Sequence, residues 1–498
     1  MRRRALGAVL AGRERRHYPW MRTEYLYGLL PIPAQNALVA RHGRRIRRER
    51  FGPEFDRLSA FLEDSERWSR EELRAYQESR LREIVRHAWE AVPYYRDLFG
   101  RLRLRPEDVS TVEDLRKLPP LTRADVAANA DRFLSSAFDR RSLRSGSTSG
   151  TSGSPMTAYW DRGMCLMNNA CYQRARRWAG APFGVRYATI TGRSLVPIRQ
   201  RRPPFWRHNP AWNQVMFSSL HLSEANLVHY VRALREHGVE ALEAYPSSVY
   251  ILARFLEARD DHLPLRSIIT TGEPLFPEER RVIEERFDTR VFDAYGQAER
   301  VVFTSECDRH EGHHLFEEYG ITEFLDDEGE PAAPGVPARI TGTTLHNMAM
   351  PLLRYTFGDV GALSPRACSC GRALPLLEGL TTRDEDILVT PDGRLIPPIM
   401  VSWAPRLIPG VTDWQLVQER AEELTATFVV DHPLSETDRE WLLTYFAGRL
   451  GTEMRVTIEQ VDEIPRSARG KRRRVISNAP LPWREPEDST RGEGATHA

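Results

Sequence analysis

Lys471 lies in the segment IPRSARGKRRRVI (residues 464–476), where every other basic residue is an arginine. The chain contains 71 lysines and arginines, and only Lys117 and Lys471 are lysines. Lysine carries a compact charge on a flexible stem, so it can enter a narrow site that a planar guanidinium would not fit. One interpretation is therefore a catalytic cation that approaches a bound anion. The alternative is a solvated basic face on which this lysine has no special role.

The loop SGSTSGTSGSP (residues 145–155) consists entirely of serine, threonine, glycine and proline. Glycines let a backbone approach a ligand closely, and successive N–H groups can form a nest that binds an anion. The hydroxyls of Thr148, Ser149, Thr151 and Ser152 would add donors. A flexible linker has the same composition, but β-like segments on both sides place this loop inside a domain. We therefore predict a phosphate-binding loop, which is not of the Walker type because no Gly-Lys-Ser/Thr follows.

Cysteines and histidines are concentrated in the segments CDRHEGHH (residues 307–314) and CSCGR (residues 368–372). Cys368 and Cys370, with Cys307 and one histidine of the first segment, would complete a closed tetrahedral zinc site. Such a site has no open coordination position, so its role would be structural. The chain has 5 cysteines, and an odd number argues against a disulfide framework. Unligated thiols in a reducing cytosol are the alternative.

The elements that must position these residues are those of an α/β protein. SREELRAYQESRLREIVRHAWEAV (residues 69–92) predicts a helix, because acidic residues follow Ser69 and apolar positions recur at helical spacing. Further on, β-like runs such as YATITG, SIITTG and RVFDAYG alternate with helical stretches such as EANLVHYVRALREHG. This alternation predicts α/β architecture with largely parallel sheets.

The pattern of predicted helices and strands changes near residue 384. A compact stretch follows there, in which the amphipathic helix SETDREWLLTYFAGRLG lies between two β-like runs. We predict an N-terminal domain over residues 1–383, whose first 60 residues form a basic helical extension, and a small α+β domain over residues 384–480. The polar tail 481–498 has no periodicity and is predicted to be disordered.

The composition of the 498 residues, 41% hydrophobic and 28% charged, is that of an ordinary globular protein with two to three domains. The net charge of +2 implies no general attraction to nucleic acid. Residues 1–50 are strongly basic; they could contact acidic partners or form a solvated face. No run approaches the ~18 apolar residues that cross a bilayer. ALGAVLAG, after MRRR, lacks a signal-peptide cleavage site, so we predict a cytoplasmic protein.

The phosphate-loop candidate is the first of six motifs along the chain. In order they are TSGTSGSP, TTGEPL, DAYGQAE, LLRYTFGDVG, TTRDEDIL and PRSARGKRRR. This series resembles the adenylate-forming superfamily of acyl- and aryl-CoA synthetases, nonribosomal adenylation domains and luciferases, over residues 70–480. SECDRHEGHH together with CSCGR resembles the phenylacetate–CoA ligase branch and its capsular-polysaccharide-biosynthesis relatives.

The resemblance implies a large N-terminal α/β domain with parallel-rich sheets and a small, mobile C-terminal lid domain. It implies catalytic roles for Lys471, Glu299 and Thr148, with Glu299 helping to hold Mg²⁺. Tyr295 would stack on adenine, and Asp359 would accept hydrogen bonds from the ribose hydroxyls. The full set of implied ATP- and AMP-binding residues is Ser147, Thr148, Ser149, Gly150, Thr151, Ser152, Gly153, Gly272, Glu273, Pro274, Asp293, Ala294, Tyr295, Gly296, Arg354, Asp359 and Lys471.

The same resemblance implies roles for residues outside that core. Arg354 would contact ribose or phosphate, with a structural ion pair as the alternative. Arg383 and Glu385 fall at the hinge about which the small domain rotates between half-reactions. The family's zinc-binding histidine follows a Gly-x pair, which selects His314 as the ligand beside the three cysteines, with His313 as the alternative.

The chain departs from the family pattern at two positions. Ala298 replaces the usual threonine in DAYGQAE and removes a hydroxyl expected near the α-phosphate or the acyl carboxylate. Met156 replaces the usual lysine after the phosphate loop. Tyr245 and Ser247, in the segment EAYPSS, are candidates for the acyl pocket. Aromatic walls would favour an aryl or arylacetic acid, but a packed core would have the same composition.

These assignments predict an AMP-forming ligase that uses ATP to activate a small carboxylic acid as an acyl or aryl adenylate. Because two anions meet, the site needs preorganised positive charge and donors more than a covalent nucleophile. The expected acceptor is coenzyme A; an amine acceptor, giving an amide, is the alternative. A basic adaptor that binds nucleic acid through residues 1–50 and 466–474 is a distant alternative, which leaves the Ser/Thr/Gly loop unexplained.

Overall fold

The computed structural model describes residues 26–148, 156–192, 195–326, 328–381, 386–402, 405, 408, 410–464 and 474–480. The first 25 residues and the predicted tail 481–498 lie outside these ranges. Within them, no helix is both long and apolar enough to cross a membrane.

Of the helices in the described residues, four begin at a side chain that caps them and five have a proline at one of their first two positions. Those of the described residues are α1 (Ile32–Arg50), α2 (Pro53–Ser65), α3 (Arg70–Ala91), α4 (Pro93–Leu102), α5 (Arg123–Ala128), α6 (Arg162–Trp178), α7 (Glu224–Glu236), α8 (Pro246–Glu257), α9 (Pro277–Phe287) and α10 (Glu436–Leu450). The helix predicted over residues 69–92 is α3. Ser69 and Glu72 form its capping box, with the Glu72 N–H donating to Ser69 Oγ at 3.2 Å and the Ser69 N–H donating to the Glu72 carboxylate at 2.8 Å. Pro93 then begins the next helix.

The strands are more numerous and mostly short. They are β1 (Leu121–Thr122), β2 (Arg144–Thr148), β3 (Met156–Trp160), β4 (Tyr187–Thr191), β5 (Trp206–Asn209), β6 (Gln214–Ser218), β7 (Ala241–Ala244), β8 (Ser267–Thr271), β9 (Val291–Gly296), β10 (Phe303–Glu306), β11 (His313–Leu315), β12 (Gly320–Leu325), β13 (Ala338–Thr344), β14 (Tyr355–Leu363), β15 (Leu376–Thr381), β16 (Leu388–Val389), β17 (Leu395–Ile396), β18 (Val411–Arg420), β19 (Glu423–Val430), β20 (Arg455–Gln460) and β21 (Val475–Ser477). The chain is therefore of the predicted α/β class.

One large sheet has the strand order β12-β13-β14-β15-β11-β10-β9-β8-β7-β4-β6-β5, with β1 beside β14. Strands β4, β6, β7, β8 and β9 pair in parallel, because helices connect β6 to β7, β7 to β8 and β8 to β9. The pairs among β9 to β15 are antiparallel. No helix occurs between β9 and β15 in the described chain. Parallel pairing needs a long crossover, so the sheet is mixed instead of largely parallel.

Helix α1 covers the free edge of this sheet at β5. Arg207 on β5 donates from Nε to the Gln35 side chain at 2.8 Å, and Trp212 donates from Nε1 to the Gly43 carbonyl at 3.0 Å. The close approach requires glycine, since a Cβ on Gly43 would lie 2.0 Å from an Asn209 oxygen. An exposed edge strand invites pairing with other chains, and the helix prevents this here.

A second sheet, β20-β19-β18-β21, forms the core of the C-terminal part with α10. Helix α10 is the amphipathic helix predicted from SETDREWLLTYFAGRLG, and it buries Leu442 and Phe446 in a cluster that contains Trp414 and Phe428 of the sheet. The small sheet lies against the large domain, because the same cluster contains Leu220, which follows β6.

Candidate active site

The loops that follow β8 and β9 border a cavity of about 1000 Å³. In α/β sheets, ligands bind outside the carboxyl ends of parallel strands, and both loops leave such ends. Gly272 begins the first loop with φ of +86°, a conformation that favours glycine. Eleven of the predicted site residues line the cavity: Ser247, Gly272, Glu273, Pro274, Asp293, Ala294, Tyr295, Gly296, Ala298, Glu299 and Asp359.

Tyr295 and Asp359 meet at the cavity although 64 positions separate them. The Tyr295 hydroxyl donates to Asp359 Oδ2 at 2.7 Å. Burial and the negative charge of Asp359 raise the pKa of Tyr295 well above its usual value, so the phenol remains a donor. The pair therefore fixes both an aromatic face and a carboxylate in the cavity wall.

Replacing Tyr295 with phenylalanine should raise the KM for ATP about tenfold, because a hydrogen bond to a charged group is worth about 1.5–3 kcal/mol. Steady-state kinetics with varied ATP measure this. Tyr230→Phe is the matched control: its buried hydroxyl donates to the Ser218 carbonyl at 2.7 Å, and Tyr230 is not among the cavity-lining residues. An equal change in KM in both variants would contradict the predicted contact between Asp359 and the nucleotide.

Glu299 is a buried carboxylate at the same cavity, only 3% exposed. Its Oε1 accepts from Arg123 Nη2 at 2.5 Å and from the Tyr355 hydroxyl at 2.9 Å. Arg123 is 7% exposed, lines the cavity, and its Nε and Nη1 have no hydrogen-bond partner among the described residues. Sequence reasoning did not find Arg123. The available signal was its position directly after Thr122, which caps α5.

Asp293 and Ser247 each form a hydrogen bond that joins neighbouring elements of the cavity wall. Thr270 donates from Oγ1 to Asp293 Oδ1 at 2.6 Å. Burial, with the Glu306 carboxylate nearby, raises the pKa of Asp293 to about 7. Ser247 donates from Oγ to Glu273 at 2.6 Å, so a candidate acyl-pocket residue contacts the glycine-containing loop directly.

The structure does not bring two predicted residues to the cavity. Arg354 is buried elsewhere: it pairs with Glu323 at 3.1 Å and donates to the Leu118 carbonyl at 2.9 Å. This is the structural ion pair that was the alternative for Arg354. Tyr245 accepts a hydrogen bond from the Gly192 N–H at 3.0 Å and is not among the residues that line the cavity.

Much of the predicted phosphate loop lies outside the described residues. Ser147 and Thr148 end β2, directly before that gap. The predicted site residues outside the description are Ser149, Gly150, Thr151, Ser152, Gly153, Arg383, Glu385 and Lys471.

The four predicted metal ligands, Cys307, His314, Cys368 and Cys370, lie together, with their ligand atoms within 4.8 Å of one another. The Cys307 and Cys368 sulfurs are 3.7 Å apart, and the Cys370 sulfur is 3.5 Å from His314 Nε2. Zinc–sulfur bonds of about 2.3 Å and zinc–nitrogen bonds of about 2.0 Å in a tetrahedron imply separations of about 3.8 Å and about 3.5 Å. The cluster therefore has the dimensions of a tetrahedral zinc site.

The choice between the two histidines follows from strand geometry. Neighbouring side chains on a strand point to opposite faces, and His313 and His314 are neighbours on β11. His313 lines the cavity, where its Nε2 is 3.6 Å from Asp293 Oδ2. His314 faces the cysteines and lies 3.3 Å from the Leu374 carbonyl through Nδ1, which leaves Nε2 for a metal. The structure thus places His314, and not the alternative His313, in the cluster.

The chain resembles curated proteins along nearly its whole length. It is 25% identical to protein CapK of Staphylococcus aureus, over 91% of this chain and 99% of that protein. It is 26% identical to a phenylacetate-coenzyme A ligase of Thermus thermophilus, over 82% of this chain and 97% of that enzyme. Residues 388–478 match the family model described as the CapK C-terminal domain. The chain is thus similar to CapK and to coenzyme A ligases over most of its length.

The fold agrees with this similarity to coenzyme A ligases. A crystal structure of 2-hydroxyisobutyryl-CoA ligase in complex with 2-HIB-AMP and CoA superposes with a TM-score of 0.55. The match has 19% identity and covers 83% of this chain and 91% of that chain. The relatives confirm both the predicted phenylacetate–CoA ligase and CapK-like branch and the predicted enzyme class, an AMP-forming ligase.

Proposed function

We propose that this chain joins a carboxylic acid to AMP at the expense of ATP and then passes the acyl group to coenzyme A. The observation that supports this most directly is the convergence in one cavity of the Gly272–Pro274 turn, the Tyr295–Asp359 pair and Glu299. These groups supply a close-approach turn, an aromatic face, an acceptor for two hydroxyls and a buried carboxylate. Each matches one part of a magnesium-bound purine nucleotide: the phosphates, the base, the ribose hydroxyls and the metal.

The first half-reaction is an attack by the substrate carboxylate on the α-phosphorus of ATP, with pyrophosphate leaving in line. Both partners are anions, so the transition state gains most from preorganised donors and positive charge. We assign the phosphates to the loop from Ser147 to Gly153, whose N–H groups and hydroxyls can donate. We assign the reacting carboxylate and the ribose-side oxygen to the ammonium of Lys471.

The position of Lys471 in the chain is compatible with this role. Ser477 and Ala479 line the cavity, and Lys471 precedes Ser477 by six residues. An extended chain rises at most about 3.6 Å per residue, so connectivity alone keeps Lys471 within about 20 Å of that wall. We propose that residues 384–480 act as a lid that carries Lys471 to the nucleotide, with Arg383 and Glu385 at its hinge.

Mg²⁺, when bound, would neutralise phosphate oxygens during the transfer. Glu299 fits this ion because it is a buried carboxylate whose two described contacts both fall on Oε1. Arg123 would hold Glu299 in position, and its remaining N–H groups add positive charge at the phosphate end of the cavity. Tyr295 would then lie against adenine, and Asp359 would accept from the ribose.

For the acid we place an aryl or arylacetic acid first, because several relatives are named phenylacetate-coenzyme A ligases. Ser247 and Ala298 line the cavity and are the proposed neighbours of the acyl group. The small side chain of Ala298 leaves room where a threonine would stand. Tyr245 accepts from the Gly192 N–H and is not among the residues that line the cavity, so we assign it no contact with the acid.

We propose that the cysteine cluster holds a structural zinc ion, because all four ligand positions are filled by the chain. None of the five cysteines forms a disulfide, which fits a reducing cytoplasm. Cys307→Ser should abolish one bound zinc per chain and lower Tm by about 10 °C, because the binding energy of a structural zinc is folding energy. Elemental analysis and a thermal scan measure both. Cys165→Ser, outside the cluster, should keep the zinc; its loss there too would contradict the assignment.

The proposed activity is tested by acid-dependent ATP–pyrophosphate exchange over a panel of carboxylic acids, followed by mass spectrometry of products formed with coenzyme A or with amines. Exchange with an arylacetic acid and a CoA thioester product would support the proposal. Exchange followed by an amide product would favour the amine acceptor. The absence of exchange with every acid would contradict adenylate formation.

A further inference from the structure

The positive charge of this chain is concentrated at its N-terminus. Residues 1–50 contain thirteen arginines and three glutamates, a net charge of +10, whereas the whole chain carries only +2. The remaining residues are therefore net acidic. Among the described residues, none of those that line the cavity falls within 26–50, so the arginines of this stretch form no part of its wall.

The orientation of α1 is fixed by the side that it buries. Gln35, Val39 and Gly43 are the buried residues of this helix, at intervals of four, and they face β5 and the turn that follows it. A helix repeats every 3.6 residues, so positions about two residues away from this row point outward. The row 41, 44, 45 and 48 follows the spacing i, i+3, i+4, i+7 and occupies the opposite side.

That outward row consists entirely of arginines. We call Arg41, Arg44, Arg45 and Arg48 the basic face; all four are exposed. Arg45 is 3.6 Å from Glu49 across one turn. The other three form no ion pair with any residue that the structure describes. Four like charges on adjacent turns repel one another, which indicates that the face meets an anionic partner.

Exposed leucines accompany these arginines. Leu26, Leu29 and Leu30, here the leucine cluster, are 58%, 55% and 38% exposed, and Leu38 is 45% exposed. Eleven large apolar side chains are exposed over the described residues, and four of them fall within this stretch of thirteen. Leu38 lies on the side of Arg41 and Arg45, three and seven residues before them, so apolar and basic groups share one surface.

We infer that residues 26–48 dock this enzyme onto an anionic lipid surface. Interfacial segments combine arginine for the headgroups with leucine for the acyl boundary, and basic residues near an anionic leaflet contribute additively. A nucleic acid would neutralise the arginines but would leave the leucines in water, because stacking and phosphate contacts do not bury them. A second copy of the chain would place one basic face against another in a symmetric contact.

The docking is tested by co-sedimentation of the full chain with vesicles of phosphatidylcholine alone or with about 30 mol% phosphatidylglycerol, a fraction that gives a strongly anionic surface. The full chain should bind only the anionic vesicles, and binding should weaken as salt rises. Changing the four arginines of the basic face to glutamine should lower the apparent affinity about tenfold or more. Changing the leucine cluster to serine should remove the part of the binding that survives high salt.

A matched control keeps the test specific. Arg86, Arg101, Arg116 and Arg141 are exposed arginines on other elements, and changing them to glutamine removes the same charge. This control should bind like the unchanged chain, and all variants should retain their thermal transition and their exchange activity. Equal losses in the control and the basic-face variant would overturn the inference. So would binding to a polynucleotide that depends on the basic face but not on the leucines, or leucine-dependent dimerisation without vesicle binding.

Discussion

Lys471→Ala should lower acid-dependent ATP–pyrophosphate exchange by about 10²–10³-fold, the range seen when one preorganised donor to a developing charge is removed. The reason is that adenylation brings a carboxylate and a phosphate into contact, and Lys471 is the proposed cation between them. Binding of ATP itself should change little, since the loop 147–153 and Asp359 are the proposed contacts of the nucleotide. Exchange rates at saturating substrates, together with circular dichroism, measure the effect.

The chain offers a matched control for this experiment, because Lys117 is its other lysine. Lys117 lies on the surface, 2.7 Å from Asp114, and donates to the Asp108 carbonyl at 2.6 Å. Lys117→Ala should leave exchange unchanged. Lys471→Arg should not restore it, because a planar guanidinium cannot take the place of a point charge. Full exchange in Lys471→Ala would refute the role assigned to this residue.

Glu299→Gln should lower the rate constant of adenylation about 10²-fold and raise the Mg²⁺ concentration needed for half-maximal rate. The amide keeps the shape but removes the charge that Mg²⁺ requires. It also leaves the buried Arg123 guanidinium without its counter-ion, which should cost stability of about 3–5 kcal/mol. Magnesium titrations of the exchange rate and denaturant unfolding separate the two effects.

Glu318→Gln separates stability from catalysis. Glu318 accepts from Arg174 Nη1 at 2.7 Å, both side chains are fully buried, and neither is among the residues that line the cavity. This variant should lose stability to a similar degree while its adenylation rate per folded molecule and its Mg²⁺ dependence stay unchanged. If Glu299→Gln behaved in the same way, Glu299 would be a structural residue and not a ligand of the ion.

The sequence motifs predicted many of the residues that line the cavity, because each motif also specifies a local backbone conformation. The glycine of TTGEPL stands where a turn with positive φ leaves a parallel strand, and Tyr295 stands at the end of the next strand. The spacing of the cysteine segments likewise located all four members of the metal cluster. A local pattern was sufficient to predict these residues, because the few residues that set the backbone turn also carry the functional groups.

Contacts between residues that are distant in sequence could not be predicted in the same way. Arg354 and Tyr245 have the residue types of binding groups, but distant partners, Glu323 and Gly192, decide where they point. Arg123 was missed for the converse reason: its partner Glu299 is 176 positions away. The pairing direction of β9 to β15 also depends on strands that are distant in sequence, so the extent of the parallel region could not be derived from alternation alone.

His313 and His314 are neighbours on strand β11, but His313 lies on the cavity side and His314 lies on the side of the cysteine cluster. Side chains alternate along a strand, so deleting one residue of the turn 308–312 would shift β11 by one position and turn each imidazole to the opposite face. The proposed zinc site would then lose His314 and the cavity wall would lose His313, although both residues were still encoded. The length of this turn should therefore tolerate no insertion or deletion during divergence, even where the identities of its residues change freely.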